Sequence, residues 1–245
     1  MIYGGLLICL AILPGLVLMY KTYSMDRVEK EPKWLIILII LMGALSAVPA
    51  IILELVMEGL YNLFYTQGTV IYLFLENFIG VALVEEICKY YAGRIPTWKN
   101  RNFDYKFDGM VYMVASAVGF AILENILYVM QGGFKVALMR AVLSVPAHVT
   151  CGVFMGFFYG KSKYAAVHLQ SGRAQLYTFL GIFVPMMVHG FYDFSLSLGT
   201  GVVMVSFAVF VIGMYVYAYI TMKDFSREDY RIYDFVQNDP NTQYR

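Results

Sequence analysis

The 245 residues carry a formal net charge of +1 and are 60% apolar but only 14% charged, against roughly a quarter charged in a soluble domain. That balance excludes a water-soluble globule, which could not bury so much apolar surface in one core. The near-neutral charge, with no basic patch interleaved with aromatics, excludes a nucleic-acid binder. The bilayer is the solvent for most of the chain, and the expected fold is all-α, a polytopic transmembrane helix bundle.

Spans need roughly twenty mostly apolar residues, and the sequence offers seven such segments: 2–20, 34–53, 70–92, 107–130, 134–160, 174–197 and 199–221. The first has no basic leader and no small-residue cleavage site, so it reads as a retained span rather than a removed signal peptide. Lys21, Arg27, Lys30 and Lys33 follow it. Basic residues return in 94–106 (Arg94, Lys99, Arg101, Lys106) and in 161–173 (Lys161, Lys163, Arg173), whereas 54–68, 131–133 and 198–201 hold no lysine or arginine. The positive-inside rule then places the N-terminus outside and the C-terminus inside. Leu198 to Gly201 predict a tight turn between the last two spans. Residues 223–245 form a polar tail, expected to be cytoplasmic and partly disordered, which leaves 1–222 as one transmembrane domain. Cys9, Cys88 and Cys151 fall in apolar runs and read as small buried hydrophobes, with no disulfide framework or CxxC motif.

Burying a carboxylate or imidazole in hydrocarbon is costly unless the group is paired or hydrated. The third span nonetheless holds Glu85, Glu86 and Lys89, the fourth Glu124 and Asn125, the fifth Arg140, Ser144 and His148, and the sixth His189 and Asp193. Helical spacing pairs Glu85 with Lys89 and His189 with Asp193, sets Arg140, Ser144 and His148 on one face, and turns Glu86 about 100° from Glu85. Each group has a plain structural reading, as an interfacial ion pair, a helix–helix hydrogen bond or a solvated end of a span. Contributions from several spans together favour one shared interior site. At about 1.5 Å per residue, Glu85, Glu124, His148 and His189 lie roughly 10 to 15 Å below outer-edge positions, which sets that site in the outer half of the bilayer.

At these residues the chain resembles the PrsW family of intramembrane proteases. The resemblance covers most of the sequence: Asp26-Arg27-Val28-Glu29-Lys30-Glu31-Pro32, then Glu85-Glu86-Ile87-Cys88-Lys89, then Phe107-Asp108-Gly109-Met110-Val111-Tyr112, then Gly119 to Asn125, then Arg140 with His148 and His189 with Asp193. Each motif alone is weak; their order is specific. Met113 departs from the pattern, where a small residue is expected, and should affect packing rather than chemistry.

The resemblance implies a protease of the bacterial plasma membrane whose partner is a single-pass protein of the anti-sigma-factor kind. The cut would be the first, outer-side one that starts a stress response. It also implies roles, through distant similarity to the CAAX prenyl proteases. Glu85 would activate water, Glu86 would be its structural partner with Lys89 or Arg140, and His189 with Asp193 would bind the oxyanion. Glu124 stands where those enzymes have a histidine, and His148 would supply the imidazole. Two carboxylates side by side in an apolar surround suit acid–base work. A metal mechanism is the rival, with His148, His189 and Glu124 as zinc ligands and Glu85 as base. No HExxH motif supports it, so the sequence favours no cofactor. Two other function classes stand beside protease: a non-catalytic scaffold similar to APH-1, and a transporter.

Overall fold

The computed structural model describes residues 2–233. Hydrocarbon offers no partner for a free backbone group, so apolar runs in it close their hydrogen bonds as helices. α1 (Ile2–Met25) and α2 (Lys33–Phe64) are joined by a polar loop ending in Pro32, whose carbonyl receives the amides of Leu35 and Ile36. α3 (Val70–Phe74) is capped by Thr69 and runs through a π-helical stretch, Leu75–Leu83, into α4 (Val84–Thr97). α5 (Asp108–Val142), α6 (Ser144–Val167), α7 (Ser171–Leu198) and α8 (Gly201–Arg227) follow. Among the described residues this makes seven long helical rods and no strand, only a lone antiparallel bridge between Tyr105 and Arg231.

Among the described residues, five segments are long and apolar enough to cross a membrane: Gly4–Met25, Lys33–Phe64, Asp108–Val167, Ser171–Leu198 and Gly201–Arg227. The third, at 60 residues, is the antiparallel pair α5 and α6, in which Gly109 meets Gly160 and Val114 meets Gly152. The rod 70–97, which contains the expected span 70–92, is not among the five; it carries Glu76, Glu85, Glu86 and Lys89.

Two boundaries differ from the sequence expectation. α2 runs to Phe64, so 54–64, read as loop, is helix; Leu, Met and Glu there are good helix formers. The expected span 134–160 is broken. Gly133 adopts φ 67°, and Leu143 separates 134–142 from α6, where Pro146 has no amide to offer the Val142 carbonyl. The turn after α7 is as expected, with Gly199 left-handed at φ 59°.

α5 is the central rod, packed by α1, α2, α4 and α6, and it is buried throughout Asp108–Ala121. Small residues bring its neighbours close: a Cβ on Gly119 would overlap the Ile40 carbonyl of α2, and one on Gly156 of α6 would overlap Met110. Of the cysteines, Cys151 is buried and Cys88 partly so, but Cys9 is exposed on α1.

One end of the bundle is closed by a polar cap. Tyr112 donates its hydroxyl to Glu31 Oε2 at 2.6 Å. Asp108 Oδ2 accepts the amides of Asp104 and Tyr105 at 3.1 and 2.7 Å. Asp229 Oδ1 accepts that of Phe107 at 3.0 Å. Residues 223–233 are therefore docked rather than disordered, because Phe225 and Ile232 are buried and Asp229 answers an open helix start. The remainder of the expected tail lies outside the described residues.

Candidate active site

α4 begins where the π-helical stretch, whose i→i+5 bonding widens the rod, ends. Its first turns point Glu85, Glu86 and Lys89 into the bundle, and all three are buried. Lys89 Nζ donates to Glu85 Oε2 and to Glu86 Oε1, each at 2.8 Å. It also stands 3.0 Å from His148 Nδ1 and 4.4 Å from the centre of the Phe120 ring. Spacing alone paired Lys89 with Glu85; the i,i+3 step reaches Glu86 as well.

α7 supplies His189. Its Nδ1 lies 2.8 Å from Glu86 Oε1 and 3.8 Å from Glu85 Oε2, and its Nε2 lies 3.1 Å from Asp193 Oδ2. α6 supplies His148, whose Nε2 lies 2.7 Å from Glu124 Oε2. The two imidazoles meet edge to face, 5.3 Å between centres. Arg140, from the short segment after Gly133, reaches back to α5: its Nη2 is 2.9 Å from Glu124, and its Nε donates to Asn125 Oδ1 at 2.6 Å. The structure thus brings together Glu85, Glu86, Lys89, Glu124, Asn125, Arg140, His148, His189 and Asp193. Arg140 belongs with Glu124, not with Glu86.

A cavity of about 810 Å³ opens beside this cluster, lined by Glu85, Glu124, Arg140, Ser144, His148, His189 and Asp193. Glu54, Glu76, Asn77, Tyr128 and Ser197 line it too, and sequence reasoning gave none of them a role at the site. The charge pattern puts Glu54 in a loop; the signal for helix there is the continuing apolar run with Glu54 and Glu58 at i,i+4.

Four carboxylates here, Glu85, Glu86, Glu124 and Asp193, face two fixed cations, Lys89 and Arg140. A formal excess of negative charge in so apolar a place favours a further cation. Ligating atoms of Glu85, Glu86, His148 and His189 lie within 4.8 Å of one another, and Glu86 Oε2 is buried without a hydrogen-bond partner among the described residues. Each histidine turns one nitrogen into this group and the other onto a carboxylate, Glu124 or Asp193. That arrangement orients metal-ligating imidazoles, and the donor set fits a dication such as zinc. It differs from the ligand set expected from sequence: Glu124 stands behind His148, and Glu86 takes the carboxylate place beside Glu85.

Residues 31–220 match the family described as PrsW family intramembrane metalloprotease. The chain belongs to the PrsW family. A protein named Protease PrsW in Oceanobacillus iheyensis is 33% identical over 76% of this chain and 80% of its own length. One in Clostridioides difficile is 34% identical over 78% and 79%, and one in Bacillus subtilis is 32% identical over 78% and 83%. No solved structure matches. The chain is thus a membrane-embedded protease, and the metallo type in the family's description agrees with the donor set that spacing alone did not favour.

The PrsW-like motifs divide between two places. Those holding Glu85, Glu124, His148, His189 and Asp193 meet at the cavity, whereas Glu31 and Asp108, from the motifs 26–32 and 107–112, build the polar cap. Met113, the departure, is buried with its sulfur against Gly93 of α4, a packing site away from the cluster.

Proposed function

We propose that this PrsW protein is an endopeptidase that cuts a single-pass membrane protein of the anti-sigma-factor kind within the outer half of a bacterial plasma membrane. The cut is the first step of regulated intramembrane proteolysis. The observation that carries the reading is the convergence of Glu85, Glu86, His148 and His189 in one buried cluster, three of which, Glu85, His148 and His189, line the adjoining cavity. The loop charges support the orientation, with the N-terminus outside and the C-terminus inside.

Peptide hydrolysis needs an activated water, a stabiliser for the oxyanion and an acid for the leaving amine. Glu85 takes the proton from water at its carboxylate and returns it to the amine. Glu86, His148 and His189 would hold the metal ion, which when bound supplies an electrophile for the scissile carbonyl. Asp193 and Glu124 fix the two rings through their outer nitrogens. Lys89 offsets the charge of Glu85 and Glu86 and keeps them at a set separation. Arg140, held by Glu124 and Asn125, ties the short segment after Gly133 to α5.

The test is cleavage of a reconstituted single-pass substrate, with the cut mapped by mass spectrometry. A cut in the outer half of the substrate's apolar segment supports the proposal; a cut in the inner half or in a soluble loop overturns it.

A further inference from the structure

Beside the catalytic cavity lies a second of about 170 Å³, between α2 and the π-helical stretch, lined by Glu54, Leu55, Glu58, Tyr61, Glu76 and Gly80. The two cavities share Glu54, Glu76, Ile51 and Val81, so they adjoin along a common wall. Among the described residues, none of the three glutamates pairs with a lysine, arginine or histidine. Among the described residues Glu76 faces a neutral donor, the Tyr72 hydroxyl. Tyr61 is 9% exposed, and its own hydroxyl has no hydrogen-bond partner among the described residues. A buried hydroxyl left unanswered is costly, and the half-buried carboxylates of Glu54 and Glu76, with exposed Glu58 at the rim, leave negative charge unbalanced beside it. Both are answered by a ligand. Gly80 keeps room for it, since a Cβ there would press on the Tyr61 ring at 3.1 Å.

The chemistry of the ligand follows from the spacing. Among the described residues, the ligating atoms that gather within 4.8 Å of one another are those of Glu85, Glu86, His148 and His189, not those of this pocket. A bare metal ion would find its donors too far apart here. A lysine or arginine side chain suits the pocket better, laying its apolar stem along Leu55 and Val81 and its charged head among the glutamates.

We infer that this side pocket receives a lysine or arginine side chain of the membrane-anchored substrate and so sets the register of the cut. The assignment rests on the protease reading of the adjoining cavity.

The test uses the purified protein in maltoside detergent, whose head group presents no amine. A single lysine is moved residue by residue along a single-pass substrate, and each position is compared with methionine. At one register lysine raises kcat/KM by about tenfold, and Glu54→Gln with Glu58→Gln reduces that preference to about twofold or less. Glu58→Lys reverses it in favour of a glutamate-bearing substrate, a gain that a misfolded protein cannot show. Binding is read without cleavage by disulfide crosslinking of single-cysteine substrates to Leu55→Cys in a Glu85→Gln background. Equal cleavage of lysine and methionine substrates at every register, or equal crosslinking of the two, overturns the pocket and leaves the protease reading intact. Selective crosslinking of the lysine substrate, from a parent protein that never cleaves, upholds the pocket and overturns the protease reading instead.

Discussion

His148 Nδ1 lies 3.0 Å from the Lys89 ammonium. An ammonium has only donors, so this ring nitrogen presents a lone pair, and the His148 proton sits on Nε2, directed at Glu124 2.7 Å away. Lys89 Nζ thus stands among Glu85, Glu86 and His148, where a metal ion would draw on the same lone pairs.

Removing that ammonium should free the ligands. Lys89→Met is expected to bind zinc about tenfold more tightly than the parent protein, measured by competition with a chromophoric chelator in detergent. Unchanged or weaker binding would show that Lys89 does not share the ligands' lone pairs.

In the proposed mechanism Asp193 acts at one remove, through the His189 Nε2 that it contacts. Asp193→Asn keeps the shape but loses the carboxylate, and is expected to weaken metal binding by about 10- to 100-fold while the protein still folds. Equal zinc retention in the variant and the parent would remove Asp193 from that role.

Arg140 is the partner of a largely buried carboxylate. Its side chain is 16% exposed and that of Glu124 18%. Arg140→Met leaves Glu124 with His148 alone and should cost about 3 kcal/mol, read from thermal unfolding in detergent. Arg140→Lys should recover only part of this, because one ammonium cannot copy the fork that spans Glu124 and Asn125. In the double variant with Glu124→Gln, the loss should be smaller than the two single losses added.

The polar cap carries a pH dependence of its own. Burial pushes the Glu31 carboxyl up to about 7, against the pull of its hydrogen bond from Tyr112. Burial likewise lifts Asp26 to about 6, opposed by Lys30 and reinforced by Asp229 and Glu29. A carboxyl raised in the folded state holds a proton that the unfolded chain has already released. Its contribution is therefore complete below the ordinary value of 4.5 and is lost as the pH rises through about 7. The melting temperature in detergent should fall between about pH 5 and about pH 8, and Glu31→Gln should flatten most of that slope. A melting temperature that rises over the same interval would contradict the assignment.

The sequence made some of this site legible and hid the rest for physical reasons. Glu85, Glu124, His148 and His189 stand out because a charge in an apolar run has no bland explanation when several occur together. Contacts along one helix were readable too, such as His189 with Asp193. Contacts between helices were not. The Glu86–His189 bond joins α4 to α7 across 103 residues, and no spacing rule reaches that far. The π-helical stretch defeats counting at 3.6 residues per turn between Glu76 and Glu85. Glu54 was lost because α2 continues past the point where its apolar run first meets charge. Glu124 looked like a ligand because only coordinates show that His148 stands in front of it.

The most direct test of the central claim is cleavage of a reconstituted substrate by the metal-depleted parent protein, the zinc-reloaded parent and zinc-loaded Glu85→Gln, with zinc content measured in each. Cleavage should vanish on depletion, return on reloading, and stay absent in Glu85→Gln even while its zinc is retained. Undiminished cleavage by Glu85→Gln, or by a parent protein shown to contain no metal, would contradict the account.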